Sequence, residues 1–262
     1  MNRGIVEAFE AGTLSSASLM VNTPAFGAAA ALARERAPAL GVGLHFNLVS
    51  GRPLSPVSTL ANPRTGEFFL LPELALRAFS GRIGADDVRR ECDAQISLLQ
   101  AEGIAATHLD SHRHTHALPG ILAPVLASAR AAGVPIVRRP LDHVLLTDPV
   151  SSSKMAMLHA SWRLALRGVA AADREQLRRS PNFRGIALQD RQDVGSRLLA
   201  MLDHLPPTPT EIMLHPGYSD EVLAAQDAYR EARDHELAAL LSPVVRERLT
   251  RGDVRLVNFR GV

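Results

Sequence analysis

Strand-like apolar runs alternate with longer helical runs along this sequence, and this alternation limits the possible fold more than any other feature. After residue 40 the alternating strand-like and helical runs are, in order, 41–49, 86–102, 104–110, 119–132 and 134–138. Strands and helices that alternate in this way pack as parallel strands joined by right-handed helical crossovers. The sequence therefore predicts an α/β fold.

Two longer segments interrupt the pattern and are predicted to wall a pocket. Residues 50–80 carry four prolines and are predicted to be a long excursion without a core element, because long loops in compact domains are usually functional. Residues 142–185 are predicted to be variable and partly helical. The other predicted elements are helix 4–10, strand 16–22, a helix from Pro24, helix 193–205, a strand ending at His215, helix 221–241 and strand 254–259.

Size and composition favour one domain. The chain has 262 residues, of which 46% are hydrophobic and 21% are charged, so it has ample material for a core. A single α/β barrel commonly occupies about 250 residues. We therefore expect one domain over residues 1–262.

Charge and cysteine content exclude several classes of protein. The formal net charge is only +2 and aromatic residues make up 4%, which argues against nucleic-acid binding. The single cysteine, Cys92, leaves no internal disulfide and fits a reducing compartment. No run approaches the ~18 apolar residues that span a bilayer, and the N-terminus has no signal pattern. We expect a cytoplasmic protein without a membrane span.

Polar residues follow three of the predicted strands at the point where each strand ends. They are His45 and Asn47 after GVGL, Asp110 after IAATHL, and His215 after EIML. The carboxyl ends of parallel strands form one rim, where catalytic side chains converge. Taken singly, His45 could be a structural histidine and His215 a surface one. Their shared position predicts that these segments meet around one point.

The stretch HLDSHRHTH concentrates four of the ten histidines with one aspartate. On a helix, His108 and His112 would share a face as in zinc proteases, but the glutamate of an HExxH motif is absent. In an extended segment His112, His114 and His116 would point the same way. Imidazoles bind divalent transition metals, and a nearby carboxylate can ligate the metal or fix a ring tautomer. A metal site is favoured over a merely polar loop.

Other catalytic schemes have little support in the sequence. There is no GxSxG elbow, no GxxxxGK[ST] loop and no GxGxxG turn. His215 lies before Pro216-Gly217 and could be a metal ligand or a general acid. The class favoured by the residues themselves is a hydrolase that uses metal-activated water.

Five segments together resemble one known family. NRGIVEAFEAGTLSSASLMVN, GVGLHFNLVSGRPL, THLDSHRHTHALP, VPIVRRP and EIMLHPGY are similar to the YdjC-like carbohydrate deacetylases, which include chitooligosaccharide deacetylases and relatives from hopanoid gene clusters. The resemblance runs from Asn2 to the predicted strand 254–259. It implies a distorted (β/α) TIM-like barrel that removes acetyl groups from N-acetylated sugars with a divalent cation, Mg²⁺ or Zn²⁺. Relatives often form dimers, so a homodimer is also expected.

The resemblance implies roles for single residues. His45 of GLHFNL and His112 of the histidine-rich stretch would be the two histidine ligands of the metal. His215 of LHPGY would donate a proton to the leaving amine. Other matched positions would contact the substrate or support the ligands: Asn47, Asp110, His114, His116 and Arg138. The adjoining Arg139 is an alternative to Arg138 for the arginine of VPIVRRP.

The sequence also departs from the family pattern. Relatives carry an upstream strand and a motif like NADDFG, in which one aspartate is the third protein ligand and its neighbour is the general base. This sequence opens at Met1 within a predicted helix, so we expect the barrel to lack its first strand. A start codon assigned too far downstream, or a truncated chain, is favoured over a real loss. Two alternatives stay open: a non-catalytic metal- or sugar-binding relative, and a metal-dependent hydrolase of another amide or ester.

Overall fold

Two small parallel sheets form the centre of the protein. The computed structural model describes residues 1–142, 149–219 and 229–262. The first sheet has the order β1-β2-β3, with β1 Ser16–Leu19, β2 Gly41–Phe46 and β3 Leu109–Ser111. The second pairs β4 Asn182–Arg184 with β5 Thr210–Ile212. All of these pairings are parallel, which confirms the α/β prediction.

Helices follow the strands and connect them. Their bounds are α1 Asn2–Glu10, α2 Phe26–Arg36, α3 Leu71–Phe79, α4 Ala85–Ala101, α5 Leu122–Ala131, α6 Pro149–Ala165, α7 Glu175–Arg178, α8 Val194–Asp203, α9 Glu231–Leu241 and α10 Pro243–Thr250. Gly103, just after α4, has a φ of 75°. That left-handed conformation ends a helix and costs glycine nothing. None of the described helices is long and apolar enough to cross a membrane.

The segment between β3 and β4 joins the two sheets by single bridges. Val137 pairs with Leu109 of the first sheet, and Asp142 pairs with Phe183 of the second. The predicted strand 134–138 is therefore reduced to one bridge. Pro140 follows it and has no N–H to donate to a ladder. Within the described part of the chain the strands do not close into a barrel, so the predicted barrel is not confirmed.

The main core lies between the first sheet and two helices. Leu44 of β2 and Leu109 of β3 are fully buried, and they share one apolar cluster with Ile96 of α4 and with Leu122 and Leu126 of α5. Burying one such side chain contributes about 1.5–3 kcal/mol. This packing fixes β2 and β3 side by side, so that their carboxyl ends open at the same place.

A buried polar stripe on α4 holds the loop after β2. Glu91 accepts hydrogen bonds from the backbone N–H groups of Leu54 and Ser55, and Asp87 accepts them from Ser58 and Thr59. Spacing of four residues places Asp87 and Glu91 on one face of the helix. The loop is thus held against α4 by hydrogen bonds. The sequence predicts only a long loop here and not this attachment.

Three predicted elements are wrong or differ in extent. Residues 50–80 are not only an excursion, because they contain the amphipathic helix α3. The four prolines of this segment made a helix there hard to predict. Residues 254–259 do not form a strand. Their backbone is bound by side chains instead, as when Ser15 Oγ donates to the Val257 carbonyl at 2.6 Å. Of the predicted helix 221–241, residues 221–228 lie outside the described part.

His108 belongs to the core and not to the site. Its buried ring stacks on Phe259 with centroids 3.9 Å apart, and its Nδ1 lies 2.9 Å from Thr107 Oγ1. A Cβ at Gly43 would come within 2.5 Å of the His108 ring, so β2 can pass this ring only with glycine there. The helical arrangement that would pair His108 with His112 is therefore wrong, because residues 109–111 form a strand.

Burial lowers the pKa of His108 to about 3, whereas an unfolded histidine titrates near 6.5. Between these values the unfolded chain binds the extra proton, so this contribution to stability is full above about pH 6.5 and is lost as pH falls toward 3. From pH 6 to pH 4 we expect the free energy of unfolding to fall less steeply in His108→Gln than in wild type. The two slopes should differ by about 1.4 kcal/mol per pH unit. Urea denaturation checks this, with the exposed His204→Gln as control. Equal slopes in wild type and His108→Gln would contradict the assignment.

Candidate active site

The first three strands each bring one polar side chain to the rim of the sheet. His45 and Asp110 are register partners on β2 and β3, and His45 Nδ1 lies 2.8 Å from Asp110 Oδ1. Ser18 of β1 donates to Asp110 Oδ2 at 3.1 Å and lies 3.3 Å from His45 Nδ1. The His45 ring is thereby oriented through Nδ1, and Nε2 is the nitrogen left for another ligand.

His112 joins this group from the turn after β3. Its ring centroid is 5.5 Å from that of His45, at an interplanar angle of 70°. Arg113 and His114 then take the left-handed conformation, with φ of 54° and 53°. Two such residues in succession without glycine are costly, and backbone strain of this kind concentrates at functional sites. The segment is therefore not extended, and His112, His114 and His116 do not share one face.

A buried charge network lies beneath His45. Arg138 Nη1 is 2.5 Å from Asp110 Oδ2, and Arg138 Nε donates to Glu211 Oε1 at 2.8 Å. The three side chains are 7%, 1% and 9% exposed. Burial opposes ionisation of Asp110, but the charges of Arg138 and His45 outweigh it and hold the pKa of Asp110 well below its usual range. Asp110 is thus an ionised support for His45, with both oxygens occupied.

His116 and His114 have different surroundings, although they are two residues apart. His116 is fully buried; Ser111 Oγ lies 2.5 Å from its Nδ1 and the Arg138 carbonyl lies 2.9 Å from its Nε2. Burial lowers the pKa of His116 to about 4, so the ring stays neutral. His114 packs edge-on against Phe183, and its buried Nδ1 has no hydrogen-bond partner among the described residues. His116 therefore helps to fix the backbone at Arg138 through its carbonyl group. The Nδ1 atom of His114 makes no hydrogen bond to any described residue.

Asn47 supports the loop that leaves β2. Its side chain is buried, its Oδ1 accepts hydrogen bonds from the N–H groups of Val49 and Ser50, and its Nδ2 donates to Asn22 Oδ1. Gln95 of α4 accepts the Asn47 backbone N–H at 3.0 Å. The side chain of Asn47 thus stabilises the turn that follows β2.

His215 reaches the site from the other sheet, three residues beyond β5. Its ring lies 5.4 Å from that of Tyr229, and its Nδ1 is 3.9 Å from Glu236 Oε2. Burial and the nearby charge of Arg233 lower the pKa of His215 to about 3. One large cavity of about 1810 Å³ is lined by His45, His112, His114, Arg138, Glu211 and His215.

His45, His112 and His215 thus line the same cavity, and His215 lies near enough to His45 for the charge of His45 to contribute to its lowered pKa. Comparison with known proteins shows which family has this sequence pattern. The family described as YdjC-like protein matches residues 1–251. The chain belongs to the YdjC-like family.

Relatives of this YdjC-like chain carry consistent names. A carbohydrate deacetylase of Geobacillus stearothermophilus is 34% identical over 99% of this chain and 91% of its own length. A human carbohydrate deacetylase is 33% identical over 97% of this chain and 84% of its own length. A chitooligosaccharide deacetylase of Yersinia pestis is 32% identical over 98% of this chain and 92% of its own length.

A solved structure has the same fold. It belongs to an Enterococcus faecalis V583 protein described as a cellobiose-phosphate cleavage protein, and it matches with a TM-score of 0.72 and 23% identity. The match covers 99% of this chain and 92% of that chain. This similarity concerns the fold of the YdjC-like chain alone.

The residues present fit two ligand positions of a divalent cation. A metal-binding histidine usually has its second ring nitrogen held by a carboxylate, as Asp110 holds His45 Nδ1. His112 lies close enough to His45 to share an ion with it. Residues 1–142, 149–219 and 229–262 contain no group of three or more histidine, cysteine or acidic side chains placed to hold a metal. The roles of His45 and His112 as ligands stay predictions.

Sequence reasoning missed three residues of the site: Ser18, Glu211 and Glu236. Glu211 had a local signal, since it is a charged residue within the predicted strand that ends at His215. Glu236 had none, because it lies on the polar-rich helix α9, 21 residues beyond His215. Only the tertiary structure brings its carboxylate to His215.

Proposed function

We propose that this protein is a metal-dependent hydrolase that removes acetyl groups from N-acetylated sugars. The observation that carries the proposal is the convergence of the Asp110-supported His45, His112 and His215 on one cavity. Sequence comparison also supports the proposal, because relatives are named carbohydrate deacetylase or chitooligosaccharide deacetylase.

Two histidines would hold the cation, Mg²⁺ or Zn²⁺. His45 offers Nε2, since Asp110 occupies Nδ1, and His112 lies beside it. A bound divalent cation supplies Lewis-acid chemistry, which polarises an amide carbonyl and lowers the pKa of a bound water. Asp110 maintains the ring tautomer of His45, and Arg138 keeps Asp110 ionised.

His215 would act on the leaving amine. Breaking the amide bond requires a proton on the departing nitrogen, and a histidine near the scissile bond can donate it. His215 approaches the cavity from β5, whereas His45 and His112 approach it from the first sheet. The proposed proton donor and the proposed metal ligands would thus face the substrate from different elements. The closed barrel, the homodimer and the cytoplasmic location stay predictions.

Release of acetate tests the proposal. The protein is incubated with diacetylchitobiose and with N-acetylglucosamine, after EDTA treatment and after addition of Mg²⁺ or Zn²⁺. We expect acetate to form from at least one N-acetylated sugar, to fall to background with EDTA, and to return with one of the cations. Acetate release that is unaffected by EDTA would contradict the metal requirement, and no release from any sugar would contradict the reaction.

One observation favours a second candidate function, a non-catalytic metal- or sugar-binding protein. Asp110 is fully engaged by His45, Ser18 and Arg138, so it is not free to act as a base toward water. Calorimetric titration with Zn²⁺ and diacetylchitobiose separates the two functions, since this candidate requires binding without acetate. An ester such as p-nitrophenyl acetate, assayed in parallel, reports the other hydrolase alternative.

A further inference from the structure

We propose that Glu236 is a positioning residue for His215, which holds the imidazole in place and faces its Nδ1 with a carboxylate. This inference rests on the proposed function, because it assigns the support of the proton donor. It names a residue that lies on a separate helix and that no motif marks.

Two hydrogen bonds fix the Glu236 carboxylate. The backbone N–H of His215 donates to Glu236 Oε2, and the Tyr229 hydroxyl donates to Glu236 Oε1. The Glu236 side chain is only 1% exposed, so water does not compete for these contacts. Each oxygen therefore has a set direction, and Oε2 is turned toward His215.

The same oxygen faces the imidazole. Glu236 Oε2 is 3.9 Å from His215 Nδ1, and this buried nitrogen has no hydrogen-bond partner among the described residues. A small rotation of the ring closes this distance to a hydrogen bond. Nδ1–H would then donate to the carboxylate, and Nε2, on the opposite edge of the ring, would be left for the substrate.

A carboxylate at this place meets a chemical need. The groups around His215 are mostly cationic or neutral: Arg233 on α9, Arg138 next to the Val137 bridge, His45 on β2 and His114 from the turn after β3, with Asp110 as an opposing anion. Together with burial they disfavour the imidazolium form, which a proton donor must adopt. An adjacent carboxylate stabilises that form.

The pKa of Glu236 lies above its usual value, and opposing effects determine it. Burial raises the pKa of Glu236, while the hydrogen bonds from Tyr229 and His215 and the charge of Arg233 oppose the rise. Arg233 also lies 5.2 Å from the Tyr229 ring, so the cation, the phenol and the carboxylate form one cluster behind His215.

Glu236→Gln tests the role, because the amide can still accept the His215 N–H but carries no charge. The pKa of His215 is followed by NMR of its ring protons, assigned with His215→Gln. We expect the His215 pKa to fall by about one unit in Glu236→Gln. Glu247→Gln, an exposed change on α10, is the matched control and should leave it unchanged. An unaltered His215 pKa in Glu236→Gln would overturn the proposal.

Activity gives a second readout. In Glu236→Gln we expect kcat to fall about 10–100-fold with little change in KM, and its alkaline limb to move to lower pH. If wild type releases no acetate, the deacetylase proposal fails while the NMR titration still decides the role of Glu236. If Glu236→Gln does not fold, Glu236→Asp lengthens the contact and keeps the charge. Its His215 pKa is expected to be lower than in wild type, and an equal value would overturn the proposal.

Discussion

Replacing Arg138 with methionine is expected to lower the free energy of unfolding by about 3–5 kcal/mol, the usual cost of breaking a buried ion pair by removing one partner. Arg138 is the cation between two buried carboxylates, Asp110 and Glu211. Methionine fills much of the same volume but removes the countercharge of Glu211 and leaves Asp110 with His45 alone. One of the two carboxylates must then take up a proton or draw water into the interior, and either change costs free energy.

Urea denaturation at pH 7 measures this loss. The matched control is Arg34→Met, which breaks the exposed pair with Glu102 and should cost no more than about 1 kcal/mol. Adding Asp110→Asn and Glu211→Gln to Arg138→Met removes the uncompensated charges, so we expect part of the stability to return. A loss in Arg138→Met no greater than in Arg34→Met would show that the network is not a buried ionic cluster.

The partners of Arg138 in this network could be predicted only in part from the sequence. Arg138 could be placed near the pocket from its family motif, but its partner Glu211 lies 73 residues away. Pairing at that distance is decided by how the two sheets meet, and no local pattern encodes it. In contrast, the predicted helical runs 86–102 and 119–132 correspond to α4 and α5, and their bounds differ from the observed ones by only a few residues.

The polar residues at the strand ends were predictable for a different reason. Parallel strands of one sheet open at one rim whatever the details of the helices, so placing His45 and Asp110 after strands was enough to predict that they meet. His215 follows a strand of the other sheet, so its position depends on how the two sheets meet. What could not be predicted was the backbone after β3. Left-handed conformations at Arg113 and His114 replace the extended segment, since neither residue type signals such a turn in the sequence.

Replacing His112 with alanine is expected to lower the rate of metal-dependent acetate release by about 10³-fold. Lewis-acid catalysis by a bound cation contributes several kcal/mol, and about 1.4 kcal/mol corresponds to a factor of ten in rate. Initial rates of acetate release at saturating sugar, over a range of Zn²⁺ or Mg²⁺ concentrations, measure the loss. His204→Ala, an exposed change on the same protein, should retain full activity.

A graded series separates a metal ligand from a structural histidine. Asp110→Asn keeps both imidazoles but loses the charge that orients His45, so metal affinity should fall about 10–100-fold. Excess cation should then restore activity to Asp110→Asn and not to His112→Ala, because only the latter lacks a donor atom. Circular dichroism establishes that each variant is folded. Restoration of His112→Ala by excess cation would place His112 outside the coordination sphere, and the proposed site would have to be built on His45 alone.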